Sequence, residues 1–199
     1  MSFVVYDNMA LLISGARVLT PEEYEALRSC LSPDHRPIFD GLIFTGMRGT
    51  EFKRFTQHPE WHDSTRMYIG LPKTASLKVK ARVRERHILL STLGNRVIRD
   101  IADSAKRGKI YFGSRQTWVN NLVRAAEKAG LDPEGIMPKM ARKTWVSWLM
   151  ASYPEDAMRI SFAMGHDIRT MQEHYLNMPF SRQEIDSIKP YVQGWGNHN

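Results

Sequence analysis

Apolar positions along most of this chain return at the three- and four-residue intervals of helices with one buried face. Thr20-Pro21-Glu22-Glu23 opens the first of them. Thr20 can cap, Pro21 suits the first turn and Glu23 completes a capping box. That helix is expected to reach about Leu31 and stop before Ser32-Pro33. A second covers Pro37 to Thr45, with Ile38, Leu42 and Phe44 facing inward. The pattern changes over residues 66–90, where Met67-Tyr68-Ile69 and Val83 to Leu90 read as two strands. Between them lies a connection rich in lysine and arginine. Helices are then expected at 92–106, 115–129, 138–152, 154–164, 168–177 and 181–189. Gly130 ends one, Pro154 bounds another, and Ser181 with Glu184 repeats the capping-box pattern. Phe3-Val4-Val5-Tyr6 is either a short strand or part of a leader over residues 1–19. The sum is a mainly α chain with a small antiparallel β-sheet, an α+β fold in one domain spanning 1–199.

Composition narrows the class. With 199 residues and 42% hydrophobic content the chain can bury a real core. Lys+Arg 28 against Asp+Glu 21 gives a net charge of +7, which favours a polyanionic partner, most simply nucleic acid. The single cysteine, Cys30, excludes an internal disulfide and suits a reducing compartment. The longest apolar run, Met9 to Ile13, is far too short to span a bilayer. The N-terminus lacks a signal-peptide pattern. A cytoplasmic, DNA-facing protein that does not enter a membrane is the expectation.

Four places carry candidate chemistry. Lys139 and Arg142 are three apart on a segment that reads helical, near its N-terminus, where free N–H groups and the dipole favour an anion. Arg48 lies three residues before Glu51, so a carboxylate can fix its guanidinium fork for a phosphate. His166 follows Gly165 at the end of an apolar segment, and Tyr175 comes nine residues later. Taken singly, each has a plain alternative: a solvated basic face, a surface ion pair, a hydrogen-bonded core histidine, a core tyrosine. No carboxylate cluster or Cys/His spacing typical of a metal site is present, and no cofactor is expected.

In combination these residues resemble the strand-transfer set of the tyrosine recombinases, the phage-type integrases. Members of that family carry Gly-x-Arg-x-x-Glu, a strand-borne lysine, His-x-x-Arg, Gly-His or Gly-Trp, and a tyrosine nine residues on. Here Gly46-Met47-Arg48-Gly49-Thr50-Glu51, Arg142, Gly165-His166 and Tyr175 match in order, and the resemblance covers roughly residues 20 to 190. One position departs: Lys139 stands where most members have histidine. Archaeal-virus and plasmid integrases and the type IB topoisomerases look similar there.

The resemblance implies a catalytic-domain fold and a metal-independent DNA strand transfer. Tyr175 would attack a phosphodiester, giving a 3′-phosphotyrosine and a free 5′-hydroxyl. Arg48 and Arg142 would clamp the non-bridging oxygens, with His166 hydrogen-bonding one of them. A hairpin lysine would protonate the leaving 5′-oxygen; Lys73 is preferred, Lys78 is the alternative, and Lys80 lies in the same connection. The base for Tyr175 is Lys139 with a depressed pKa, or water, or a phosphate oxygen. Partners implied are double-stranded DNA bearing attachment sites and a homotetramer around a junction. The usual N-terminal DNA-clamp domain is expected to be absent, and residues 178–199 form a tail that docks on a neighbouring protomer or on its own domain. Two other readings are a type IB topoisomerase-like nicking and resealing enzyme, and a non-catalytic DNA-binding protein on the same fold. Arg82, Arg84, Arg86, Arg96, Arg107, Lys109 and Arg115 are spread out and read as solvated or backbone-contacting charges.

Overall fold

A computed structural model describes residues 10–75, 85–165, 168–175 and 179–196. Phe3 to Tyr6, Lys78, Lys80 and His166 lie outside the described residues. The chain begins with an element the residue pattern did not single out, a hairpin of β1 (Leu12–Ile13) and β2 (Ala16–Arg17). Ser14 and Gly15 turn it, both at positive φ, 47° and 68°. It continues into the core through Val18 and Leu19. Leu19 is held by two bonds to α6 (Lys139–Ser152): its N–H donates to Thr144 Oγ1 at 3.0 Å, and its carbonyl accepts from Trp148 Nε1 at 2.9 Å.

The capping box forms as expected. Thr20 Oγ1 accepts from Glu23 N–H at 3.2 Å while Glu23 Oε2 accepts from Thr20 N–H at 3.1 Å, opening α1 (Pro21–Cys30). The next helix, α2 (Arg36–Thr45), ends on Gly46 in the left-handed conformation, φ 59°. A third, α3 (Gly49–Gln57), follows at once and buries Glu51, Phe52 and Phe55; it was not expected from the pattern. The small sheet has three strands rather than two, in the order β3 (His62–Asp63), β4 (Tyr68–Leu71) and β5 (Arg86–Leu89), all antiparallel. Its register pairs Ile69 with Ile88 on the buried face.

The remaining helices lie close to expectation: α4 (Thr92–Lys106), α5 (Arg115–Lys128), α6, α7 (Ala157–Met164), α8 (Ile168–Tyr175) and α9 (Arg182–Val192). A 3₁₀ turn, Pro154–Asp156, separates α6 from α7. The helix α6 is central, with Trp145, Val146, Trp148 and Leu149 fully buried. Around it pack α2, α7, α8 and α9. Ile188, Val192 and Trp195 are buried, and the Tyr191 ring packs on Tyr24, Phe44 and Trp148 of the same chain. Among the described residues no helix is long and apolar enough to cross a membrane.

Candidate active site

The site is built where two helices end. Each closes on a glycine in the left-handed region, α2 on Gly46 and α7 on Gly165, φ 59° and 62°. A Cβ on Gly46 would sit 2.7 Å from Met164 Sδ and 3.1 Å from Trp145 Cδ1, so a side chain there would displace these neighbours as well as strain the left-handed backbone. Helix ends leave carbonyls without intrahelical donors. Arg142, the fourth residue of α6, supplies them to both: Nη1 donates to Gly46 O at 2.8 Å and Nη2 donates to Met164 O. Its guanidinium thus lies, almost fully buried, against the negative ends of two helices. Burial first, then Arg48 and Arg86, push its pKa down to about 9, with Glu51 and Tyr175 opposing, so it stays charged at neutral pH.

Arg48 stands at the N-cap of α3. The expected tie to Glu51 is present: Arg48 Nη1 donates to Glu51 Oε1 at 2.8 Å, and the Arg48 N–H donates to Glu51 Oε2 at 2.8 Å. The Arg48 side chain remains half exposed, whereas Glu51 is buried. Burial alone would raise the Glu51 carboxyl, but Arg86, the Arg48 N–H, Arg142 and Arg48 together hold it below the usual carboxylate range.

Tyr175 closes α8 and is 2% exposed. Burial pushes its phenol up to about 12, with the Arg142 charge pulling the other way. Lys143 covers the ring, its Nζ 4.9 Å from the centroid. Desolvation, then Lys139 and Arg142, lower the Lys143 pKa. Residue patterns gave Lys143 no role; a lysine next to the expected arginine carries no signal of what lies above it.

Lys139 and Arg142 were expected to share one anion-binding face, and they diverge. Lys139 is exposed and its Nζ donates to Ser14 O at 2.9 Å, in the turn of the N-terminal hairpin. As the first residue of α6, its side chain reaches back across the helix end instead of along the Arg142 row. Lys73 is exposed on a 3₁₀ turn, Lys73–Ala75, that follows β4 and packs on α3, the helix Arg48 opens. Arg48, Arg142 and Tyr175 are therefore brought into one electrostatic neighbourhood, and Lys139, its Nζ bonded to Ser14 O, acts on it through Lys143.

One further arginine belongs to this neighbourhood. Arg86, the first residue of β5, was grouped with the solvated or DNA-backbone-contacting charges, yet its side chain is only 11% exposed. Its Nη2 donates to Glu51 Oε2 at 2.8 Å and its Nε donates to Ala163 O at 3.2 Å. The signal is a contact across 35 residues, which no local spacing encodes. Among the described residues no group of three or more His, Cys, Asp or Glu is arranged to hold a metal ion.

No protein-family model and no curated protein matches the sequence. A crystal structure of XerA recombinase superposes with a TM-score of 0.59 at 14% identity, over 95% of this chain. The chain spans 66% of the length of that structure. At such identity the likeness speaks for the architecture alone: the chain shares the mainly helical, small-sheet fold of that tyrosine recombinase.

Proposed function

We propose that this chain is a site-specific DNA recombinase that cuts and rejoins DNA through Tyr175. The observation that carries the reading is the convergence on buried Arg142 of Arg48 with its Glu51 tie and of Tyr175, from three separate stretches of sequence. Arg48 and Arg142 would draw in a scissile phosphate and take up the charge that builds on its non-bridging oxygens. The Tyr175 oxygen forms a bond to phosphorus while the bond to the 5′-oxygen breaks, leaving a 3′-phosphotyrosine. The 5′-oxygen takes a proton from Lys73 or Lys78, and His166 donates a hydrogen bond to the phosphate. The tyrosine proton passes to water or a phosphate oxygen, because Lys139 is engaged at Ser14. A 5′-hydroxyl from a second duplex then reverses the step. No metal is needed, since cationic side chains do the neutralising.

Without DNA the Tyr175 ring is buried, so attack requires α8 to shift when DNA binds. The net charge of +7 supplies non-specific attraction to the duplex. A tetramer on double-stranded DNA bearing attachment sites is part of the same proposal, as is an intracellular setting.

The test is a nicked suicide substrate incubated in EDTA. Wild type should give a covalent protein–DNA adduct on a denaturing gel, and Tyr175→Phe should give none. An adduct that survives Tyr175→Phe removes Tyr175 as nucleophile. Intact binding with no adduct from wild type favours the non-catalytic DNA-binding alternative.

A further inference from the structure

Three donors converge on the two oxygens of Glu51. Arg48 Nη1 reaches Oε1, while the Arg48 N–H and Arg86 Nη2 both reach Oε2, each at 2.8 Å. The two cations differ in access: the Arg48 side chain is half exposed, the Arg86 side chain 11%. A phosphate arriving from solvent meets Arg48 on its open side while Arg86 stays in place. Arg86 is also held by α7, where its Nε donates to Ala163 O at 3.2 Å and its stem lies over Gly165, so that a Cβ there would be 3.3 Å from Arg86 Cδ.

A buried carboxylate with a single cation holds that cation against any incoming anion, because an uncompensated charge in the interior is costly. With Arg86 present, Glu51 keeps a full counter-charge when Arg48 turns to a phosphate. Arg48, Arg86 and Arg142 against Glu51 leave this group two positive charges in excess. That matches the two negative charges a phosphodiester reaches when an oxyanion adds to it.

We infer that Arg86 is a positioning residue of this site, the resident counter-charge of Glu51 that frees the Arg48 guanidinium to bind phosphate. The inference rests on the phosphodiester-site reading above, and its test is arranged to fail separately.

Wild type, Arg86→Gln, Arg86→Lys, Glu51→Gln/Arg86→Gln and, as the blank, Arg48→Gln are compared by two readouts. The first is the rise in melting temperature with inorganic phosphate, which needs no catalysis. The second is the adduct rate on the nicked substrate. Arg86→Gln should lose the part of the phosphate-induced rise that Arg48→Gln also loses, and its adduct rate should fall about 100-fold. Arg86→Lys should recover part of both. The double variant should form adduct at least about tenfold faster than Arg86→Gln, since no carboxylate then competes for Arg48. A side chain that merely braces α7 against β5 would give no such rescue. A double variant no better than Arg86→Gln, or an Arg86→Gln protein that binds phosphate like wild type, overturns the inference. If Arg86→Gln does not fold, Arg86→Lys and the double variant decide by the same comparison. Rescue of phosphate binding with no adduct from wild type would sink the recombinase reading and leave the role of Arg86 standing.

Discussion

A phenol that ionises near 12 is a poor nucleophile at neutral pH, and it is also a probe of its own burial. Tyr175 owes its shift first to desolvation, which Arg142 only partly offsets. The folded chain therefore keeps this proton at a pH where an unfolded chain, with an ordinary value near 10, has released it. Its contribution to stability is complete below about 10 and is lost as pH rises through about 12. Urea titrations at a series of alkaline pH values should show wild type losing stability more steeply than Tyr175→Phe across that window. Tyr24 and Tyr191 are raised as well, by burial first and by their carboxylate partners, but they are common to both proteins and cancel. Equal slopes would mean that the ring is solvated in the free protein. The residue patterns could place Tyr175 among the candidates but could not tell a buried ring from an exposed one, because its position in α8 suits either.

Among elements, the two helix ends at Gly46 and Gly165 decide whether the arginines meet. Gly46→Ala should cost about 1–2 kcal/mol for the left-handed backbone alone, and more because its Cβ would fall 2.7 Å from Met164 Sδ. Gly15, at φ 68° with nothing within 4 Å of an added Cβ, is the matched control and should show only the backbone part. Chemical denaturation of the two variants separates the terms; equal losses would mean that the α2–α7 approach relaxes freely. Much at this scale was legible in advance. Capping boxes at Thr20 and Ser181 announced α1 and α9, since a side chain three residues on completes each cap. The helix α3 was missed because no Ser, Thr, Asp or Asn caps it. It starts instead on Arg48, whose N–H is taken up by Glu51, and it is held by the burial of Phe52 and Phe55. The N-terminal hairpin had its turn signal in Ser14-Gly15, but its strands are too short to show a period. Arg86 was invisible for a different reason: its role arises where β5 packs on α7, a tertiary event.

Over the whole molecule, charge and chain path set what the domain can do. A net charge of +7 should make duplex binding strongly salt-dependent. Neutralising even two phosphates costs about tenfold in affinity between roughly 50 and 200 mM salt. A titration series over that range should therefore show at least this drop, and salt-independent binding would remove the electrostatic account.

The docking of α9 has a consequence for reach. Ser181, the cap of α9, is six residues after Tyr175, and a fully extended chain covers only about 3.5 Å per residue. While Ile188, Val192 and Trp195 stay in their own core, Tyr175 is leashed to within about 20 Å of that anchor, whatever α8 does. Under that leash, the proposed nucleophile would serve a phosphate bound by the arginines of its own chain. Mixing Arg48→Ala with Tyr175→Phe protein should then yield no adduct, because neither chain can lend the other what it lacks. An adduct from the mixture would mean that α9 undocks on DNA, and that the tail is a clasp that opens during assembly.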